Sequence, residues 1–153
     1  MAGAIISINI ASRSGEAPEK HEAARLDEGK GIVGDRYYGV HEDAQITLVD
    51  ADTIARINGK TGWSLTPEET RRNIVTEGID LNQWETSRFR VGDAILEGVE
   101  LCEPCATLGG MLENESRTSA EVVKALTHGA GLRARVVKGA DIQVGDSVRG
   151  ESD

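Results

Sequence analysis

"FRVGDAILEGVELC", residues 89–102, has the pattern of two short β-strands joined by a tight turn. Its Val-Gly-Asp triplet at 91–93 returns at 144–146, again between apolar, strand-like runs. At both places we expect a tight turn or bulge in which the glycine supplies a positive φ. The repeated unit predicts that the later part of the chain is built from short β-strands.

Similar β-rich runs occur further out in both directions. They are punctuated by glycine and aspartate, as is typical of strands that end in turns. The runs are "AIISINI" (4–10), "QITLV" (45–49), "NIVTEG" (73–78) and "LRARVVKGADIQVGDSVRG" (132–150). Most of the chain is therefore predicted to be strand.

Three short helices are predicted between these strands from their capping signals. Each follows a residue whose side chain accepts hydrogen bonds from free backbone N–H groups, and two of them have a capping-box pattern. The three are "ADTIARIN" after Asp50, ended by Gly59; "PEETRR" after Thr66, with Glu69 in the box; and the helix of "TSAEVVKALTHG" after Thr118, with Glu121 in the box and Gly129 at its end.

Many short strands with a few peripheral helices favour a particular fold class. We expect a protein that is mainly β with a few short helices (α+β), built on a closed or nearly closed β-barrel core. The regular strand–helix alternation of a thioredoxin-like or Rossmann fold is missing, which argues against both. A length of 153 residues without a break in composition predicts one domain over 1–153.

Composition limits the function classes. The net charge is −9, so general nucleic-acid binding, which needs a basic face, is not expected. Acidic segments such as "GEAPEKHEAARLDEG" and "LENES" are interpreted as solvated surface. No run approaches the roughly 20 apolar residues that span a bilayer, and the N-terminus lacks a signal-peptide pattern. We therefore expect a cytoplasmic protein with no membrane association.

The two cysteines of the chain, Cys102 and Cys105, stand together in "LCEPCATLGG", residues 101–110. A structural disulfide is disfavoured, because the cytoplasm keeps thiols reduced and bridging residues three apart stabilises little. A zinc site would need further ligands, and the three histidines, His21, His41 and His128, are scattered singly.

Three interpretations of the cysteine pair remain open from the residues alone. A dithiol oxidoreductase would place the first thiol at the start of a helix, and "ATLGGML" is a weak helix with two glycines. Both cysteines could instead be small buried hydrophobic residues. The third interpretation is one functional thiolate, which requires a cationic neighbourhood or a metal.

Arginine clusters in this acidic chain are candidates for that neighbourhood. If they converge on the thiol, the pocket would suit a small, multiply anionic ligand such as a phosphate, which guanidinium groups bind bidentately. A surface ion pair is the alternative for each arginine alone. The candidates are Arg36 in "GIVGDRYYG", Arg71 and Arg72 beside Asn73 in "ETRRNIV", and Arg133 with Arg135 on one face of the strand "LRARVV".

An ordered set of motifs resembles the MOSC domain, named for the C-terminal domain of molybdenum-cofactor sulfurase. The motifs are "GIVGDRYYG", "QITLVD", "RRNIVTEGIDLN", "FRVGDAILEGVELCEPC" and "LTHGAGLRARVVKGADIQVGDSV". The resemblance spans roughly residues 3–149 and is to the small stand-alone bacterial members. It implies a MOSC (PK β-barrel-like) fold, a β-rich barrel core with flanking helices.

The resemblance also implies a function for Cys105. MOSC domains are thought to carry sulfur on a cysteine, taken from a pyridoxal-phosphate cysteine desulfurase, or to bind molybdenum cofactor (molybdopterin). The cysteine that ligates molybdenum in amidoxime-reducing relatives matches Cys105. The relatives' Arg-x-Asn element, which holds the phosphate or pterin, matches Arg71 and Asn73. Arg36, in the GDR motif, would belong to a basic cofactor-binding loop.

Several further residues are candidates for supporting roles at such a site. Cys102 is expected to pack in the interior, or to resolve a Cys105 persulfide. His128, at a helix C-terminus, is a candidate for proton transfer or anion binding, with a cap or surface role as the alternative. Arg72, Arg133 and Arg135 are candidates for further cofactor contacts.

The resemblance leaves the activity open between classes. As an enzyme, the protein would be a sulfur transferase or a molybdenum-dependent reductase of N-hydroxylated compounds, with a separate electron donor. Its expected partners are a cysteine desulfurase or a molybdoenzyme or reductase, and its ligand a small anionic pterin. The alternatives are a non-catalytic module that delivers cofactor or sulfur, and a domain with a degenerate site whose thiols are structural.

Overall fold

A closed β-barrel forms the centre of the protein in the computed structural model, which describes residues 2–152. Seven strands close the barrel in the order β11-β7-β8-β9-β5-β6-β1, with β1 pairing back onto β11, and β2 extends one edge of β1. The strands are β1 (Gly3–Ile10), β2 (Glu19–His21), β3 (Ala23–Asp27), β4 (Gly31–Ile32), β5 (Ile46–Asp50), β6 (Ile74–Glu77), β7 (Arg88–Val91), β8 (Ala94–Leu101), β9 (Leu132–Lys138), β10 (Ala140–Gln143) and β11 (Ser147–Gly150). The predicted barrel and fold class are confirmed.

Alternation along the strands separates the barrel core from its outer face. In β9, Leu132, Ala134 and Val136 are buried, whereas Arg133 and Arg135 point outward between them. Both arginines therefore share one face, as predicted. The interior is filled by aliphatic side chains from every barrel strand and by the stacked pair Trp84 and Phe89.

The two Val-Gly-Asp triplets form tight turns, as predicted. Gly92 lies between β7 and β8 with φ 57°, and Gly145 lies between β10 and β11 with φ 96°. Both values are in the left-handed region, where a side chain is strained. The backbone N–H of Gly92 also donates to the carbonyl of Ser147 at 2.8 Å, so the first turn contacts the strand that follows the second.

In residues 2–152, three α-helices and two 3₁₀ turns surround the barrel strands, and the predicted caps Asp50, Thr66 and Thr118 are observed at the starts of three of them. None of these helices in residues 2–152 is long and apolar enough to cross a membrane. The helices are α1 (Ala51–Thr61) after Asp50, α2 (Ala106–Leu112) and α3 (Ser119–Leu126) after the capping box of Thr118 and Glu121; the 3₁₀ turns are Pro67–Thr70, after the capping box of Thr66 and Glu69, and Leu81–Trp84.

The helix ends differ from the predictions. Helix α1 continues through Gly59 and stops at Gly62, whose φ of 79° allows its N–H to bond the carbonyl of Asn58. Helix α3 stops at Leu126, before Gly129, and the segment predicted as the helix "PEETRR" is only one 3₁₀ turn. Glycine alone was a poor stop signal, because Gly59 is tolerated inside an otherwise regular helix.

The acidic segment at residues 15–29, predicted to be solvated surface, keeps that exposure but also pairs with the sheets. It contains β2 and β3, and β3 forms a small second sheet with β4 and β10. Most of its side chains remain exposed, and Leu26 is the residue of β3 that reaches the core. Backbone pairing with β1 and β10 holds the segment in place. Its side chains therefore need no apolar alternation, which is the pattern that identifies a strand in a sequence.

Candidate functional site

A cavity of about 490 Å³ lies on the outer face of the barrel, where β5, β9 and β8 run side by side. Thr47 and Glu100 each pair in register with Arg133 across these strands. The loop 36–44 forms another wall. We call this space the arginine cavity; its lining residues are Arg36, Tyr37, His41, Glu42, Asp43, Ala44, Thr47, Arg72, Glu100 and Arg133.

The charges of the arginine cavity are partly paired with one another. Arg133 Nη1 donates to Glu100 Oε1 at 2.9 Å, and Asp43 is held from outside the cavity by Arg135 at 2.8 Å. Exposed pairs of this kind stabilise a fold little, but they neutralise charge at the cavity rim. Arg133 is therefore less available to a ligand than Arg36 or Arg72.

Arg36 has unused hydrogen-bonding capacity at the cavity wall. Its guanidinium lies over the ring of Tyr37, with 4.5 Å from Cζ to the ring centroid, and only 12% of the side chain is exposed. Among residues 2–152, its buried Nη1 has no hydrogen-bond partner, since the nearest carboxylate oxygen, Asp35 Oδ1, is 3.7 Å away. A buried donor without a partner indicates a group that is prepared for an additional acceptor.

Arg72 is held by the backbone rather than by a carboxylate. Its Nε donates to the carbonyl of Ala130 at 2.8 Å, and within the part of the chain that is described it forms no ion pair. The charge of its guanidinium is thus not neutralised, and the group lines the arginine cavity. This makes Arg72 a strong candidate for an anion contact.

Arg71 lies elsewhere. It follows the 3₁₀ turn Pro67–Thr70 in the left-handed conformation, with φ 65°, which directs consecutive arginines to different sides. Its guanidinium donates to the carbonyl of Glu16, and it lines a separate cavity beside Met111. The structure therefore brings Arg72, not Arg71, to Arg36.

Asn73 is buried, with 2% of its surface exposed. Its Oδ1 accepts from the backbone N–H and the hydroxyl of Thr47 at 3.0 and 3.1 Å. Its Nδ2 donates to Asn9 O and to Asp35 Oδ1, both at 3.1 Å. A side-chain amide makes at most about four hydrogen bonds, so this one has no capacity left for a ligand.

Cys105 is an exposed thiol at the start of α2, where it occupies the N-cap position. The backbone N–H of Leu108 lowers the pKa of this thiol most, and the N–H and hydroxyl of Thr107 and the charge of Arg72 lower it further. All of these interactions stabilise the thiolate over the thiol. Cys105 therefore has the features of a functional thiolate.

Cys102 has the opposite environment. It follows β8, is fully buried, and burial raises the pKa of its thiol. Its backbone N–H donates to the carbonyl of Gly131 at 2.8 Å, which ties the end of β8 to the start of β9. Both cysteines are free. The predicted packing position of Cys102 agrees with this burial, and its role as a resolving thiol stays a prediction.

Arg72 connects the thiol to the arginine cavity. It lines the cavity with Arg36 and Arg133, and its charge acts on Cys105 and on Cys102. Cys105 itself does not line the cavity. The structure thus brings Arg36, Arg72 and Arg133 to one cavity, and of these three only Arg72 lowers the pKa of Cys105. The predicted contacts Arg71, Asn73 and Arg135 lie outside the lining.

His128 also lies away from the arginine cavity. Its Nδ1 is 3.2 Å from Glu103 Oε2, and its backbone N–H donates to the other oxygen of the same carboxylate. The side chain is 75% exposed and lines a different cavity with Asp50 and Asp80. A role in proton transfer stays a prediction, and the observed contacts are those of a surface pair after a helix. Nowhere in residues 2–152 do three His, Cys, Asp or Glu side chains group as a metal site.

Helix α2 was underestimated from sequence because of its two glycines. At Gly109 a Cβ would lie 2.5 Å from the hydroxyl oxygen of Ser119 and 2.9 Å from its carbonyl oxygen, so glycine is needed where α2 touches α3. This close approach between α2 and α3 is not visible in the sequence. The sequence shows the doublet Arg71–Arg72 but carries no signal for which of the two arginines reaches the cavity.

Valine at position 107 is expected to slow alkylation of Cys105 several-fold at neutral pH. It keeps the shape of threonine and removes the hydroxyl that lowers the pKa of the thiol, while the backbone donors remain. The measurement is the iodoacetamide rate from mildly acidic to alkaline pH, with Cys105 followed by mass spectrometry. Thr61→Val, at an exposed helix end, is the control. A midpoint that stays in place in Thr107→Val would contradict the assigned donor.

Comparisons with known proteins agree with the fold. The MOSC domain model matches residues 8–149. The crystal structure of the YuaD protein from Bacillus subtilis matches with TM-score 0.86 and 20% identity, over 97% of this chain and 94% of that one. The structures of YiiM from Geobacillus stearothermophilus and Escherichia coli match with TM-scores 0.74 and 0.69, at 16% and 14% identity, over 96% and 97% of this chain and 74% and 69% of theirs. No curated protein matches the chain.

Proposed function

This chain belongs to the MOSC domain family, and we propose that it holds the anionic group of a molybdenum cofactor in the arginine cavity and uses Cys105 as the working thiolate. In this proposal Cys105 either ligates molybdenum or carries sulfur for the cofactor. The observation that carries it is Arg72, which both lines the cavity and acts on the exposed thiol of Cys105.

The residues present fit a phosphate-bearing ligand. Arg36 has a buried, unsatisfied Nη1, and the guanidinium charge of Arg72 is not neutralised by a carboxylate in residues 2–152. Guanidinium groups bind phosphate oxygens with charge-assisted hydrogen bonds. A volume of about 490 Å³ lies in the range of small-molecule sites. Thr47 and Tyr37 add polar and aromatic surface to the same wall.

As a cofactor site, the chain would supply binding and one ligand. Arg36 and Arg72 hold the phosphate, and the thiolate of Cys105 is a soft ligand suited to molybdenum. The bound cofactor would supply the redox chemistry at its metal. Reduction of an N-hydroxylated compound would then need electrons from a separate protein.

As a sulfur carrier, Cys105 would accept sulfur from a cysteine desulfurase. The Cys105 thiolate attacks the outer sulfur of the persulfide on the desulfurase, so that one S–S bond forms and the donor's S–S bond breaks. The electron pair leaves with the donor cysteine as its thiolate, and no net oxidation or reduction occurs. The exposure of Cys105 and its lowered pKa favour this step. Delivery by a non-catalytic module would use the same thiol.

The pocket part of the proposal is tested by neutralising its arginines. Arg36→Gln and Arg72→Gln, in protein purified from a molybdate-fed host, are each expected to lower pterin content about tenfold, because each removes a charged hydrogen bond to phosphate. Pterin fluorescence and molybdenum analysis measure the content. Arg88→Gln, on the exposed pair with Glu97, is the matched control. Equal pterin content in all three variants and wild type would refute the arginine cavity as the binding site.

A further inference from the structure

Asp35 is a fully buried carboxylate directly before the loop 36–44 that forms one wall of the arginine cavity. Its Oδ1 accepts from the backbone N–H of Ala11 at 3.2 Å and from Asn73 Nδ2 at 3.1 Å, and its Oδ2 accepts from the backbone N–H of Tyr37 at 3.2 Å. One side chain thereby joins the end of β1, the residue before β6 and the loop that forms the cavity wall. Burial of a carboxylate is costly unless it is bonded in this way.

The turn that Asp35 holds carries two residues of the arginine cavity. Arg36 and Tyr37 follow it directly, and the Arg36 guanidinium lies over the Tyr37 ring. Arg36 is also tied through its backbone N–H to the carbonyl of Ala11 at 2.8 Å. The backbone of Arg36 and Tyr37 is therefore held by this bond together with the bonds of the Asp35 carboxylate, and the Tyr37 ring beneath the guanidinium is held with it.

Asn73 extends this network to the other side of the cavity. It bonds Asp35 through Nδ2 and Thr47 through Oδ1, and it directly follows Arg72 in the chain. Thr47 and Arg72 both line the cavity. A continuous buried network thus connects the loop that carries Arg36 to the segment that carries Arg72.

We propose that Asp35 and Asn73 are positioning residues, which set the spacing of Arg36 and Arg72 for an anionic ligand without touching it. This rests on the proposed binding of an anionic group in the arginine cavity. Preorganised donors bind an anion more tightly, because no ordering of the side chains is needed on binding. Asn73 thereby receives a role different from the direct cofactor contact expected from the family resemblance.

The variant Asp35→Asn distinguishes a positioning role from a simple effect of charge, because the two predict changes of opposite sign in the Kd for an anion. The substitution removes a negative charge 3.7 Å from Arg36 Nη1, which by Coulomb attraction alone should tighten anion binding. An amide that keeps its oxygen towards Ala11 and Asn73 must turn an N–H towards the N–H of Tyr37. The turn then loses its bond, and the guanidinium loses its fixed place.

The experiment is a titration of inorganic phosphate into ¹⁵N-labelled protein, followed by NMR. For Asp35→Asn we expect the Kd for phosphate to rise about three- to tenfold, the equivalent of one hydrogen bond, and the Tyr37 amide proton to exchange faster. An unchanged or lower Kd would overturn the positioning role. Asn73→Ser, which removes both amide donors, is the second variant and is expected to weaken phosphate binding in the same direction.

Ser7→Ala is the matched control for stability. Ser7 is buried, and its hydroxyl donates to Asn9 Oδ1 at 3.2 Å rather than to Asp35 or Asn73. We expect Ser7→Ala to lose some stability and to keep the phosphate Kd of wild type. If its Kd rises as much as that of Asp35→Asn, general destabilisation explains both effects and the inference is overturned. If wild type does not bind phosphate, the proposed function fails and the inference with it, whereas binding by wild type with equal or tighter binding by Asp35→Asn overturns the inference alone.

Discussion

Replacing Cys105 with serine is expected to remove both molybdenum and persulfide from the purified protein and to abolish its fast reaction with alkylating agents at neutral pH. A hydroxyl is neither ionised at this pH nor a soft ligand, so it cannot replace the thiolate in either role. The measurements are molybdenum analysis and intact-mass spectrometry of protein from a molybdate-fed host.

The position of Cys105 makes this loss a clean test of function. The residue is exposed and is the N-cap of α2, a position at which serine is strongly preferred. We therefore expect the serine variant to be as stable as wild type, or slightly more stable, in urea denaturation. The loss of molybdenum and persulfide then cannot be attributed to unfolding.

Cys102→Ala is the matched control for the thiol chemistry. The side chain of Cys102 is fully buried, and alanine keeps a small apolar group at its position. We expect this variant to keep the fast-reacting thiol and any bound molybdenum or sulfur. If molybdenum or persulfide persists in Cys105→Ser, or disappears in Cys102→Ala, the assignment of the chemistry to Cys105 is contradicted.

Replacing Gly131 with alanine is expected to destabilise the protein by about 3 kcal/mol or more, through backbone strain and a steric clash. Gly131 has φ 114°, and an added Cβ would lie 2.2 Å from the carbonyl oxygen of Leu48 on β5. Its own carbonyl accepts from Cys102 N–H, and the preceding Ala130 holds the Nε of Arg72. A shift of this backbone would therefore also move Arg72, whose charge lowers the pKa of Cys105.

Urea denaturation of Gly131→Ala beside Gly59→Ala measures this effect. A Cβ at Gly59 would meet no atom within 4 Å, and the residue lies inside α1, so alanine is expected to stabilise there by about 0.5–1 kcal/mol. The two variants make the same chemical change with opposite expected signs. A loss below about 1 kcal/mol in Gly131→Ala would show that the β5–β9 junction relaxes and that the close approach is not essential.

Local features of the chain were the ones that could be predicted from sequence. The Val-Gly-Asp turns, the capping boxes before the 3₁₀ turn Pro67–Thr70 and before α3, and the strand pattern of β9 depend on neighbouring residues, and all are observed. The resemblance to the MOSC domain is confirmed by the family match over residues 8–149. Elements with a weak local pattern were not predicted. Strands β2 and β3 lack apolar alternation, and α2 contains two glycines, which disfavour a helix.

The candidate site divides in the same way. The choice of Cys105 over Cys102 as the working thiol could be made from the sequence by resemblance, and exposure and pKa direction now support it. The choice between Arg71 and Arg72 could not. It depends on a left-handed residue at the end of a 3₁₀ turn, which sends one guanidinium to Glu16 and the other to Ala130.

The sequence by itself determined that this protein is a β-rich MOSC domain, because strand alternation and turn residues are local properties and the motifs occur in the order typical of the family. Only the tertiary structure decided which arginines line one cavity, that Asn73 is buried with its amide fully hydrogen-bonded, and that Cys105 is the N-cap of α2. These depend on closure of the barrel, which brings residues far apart in the chain within hydrogen-bonding distance. Their side chains carry no local signal of the partners that they will meet.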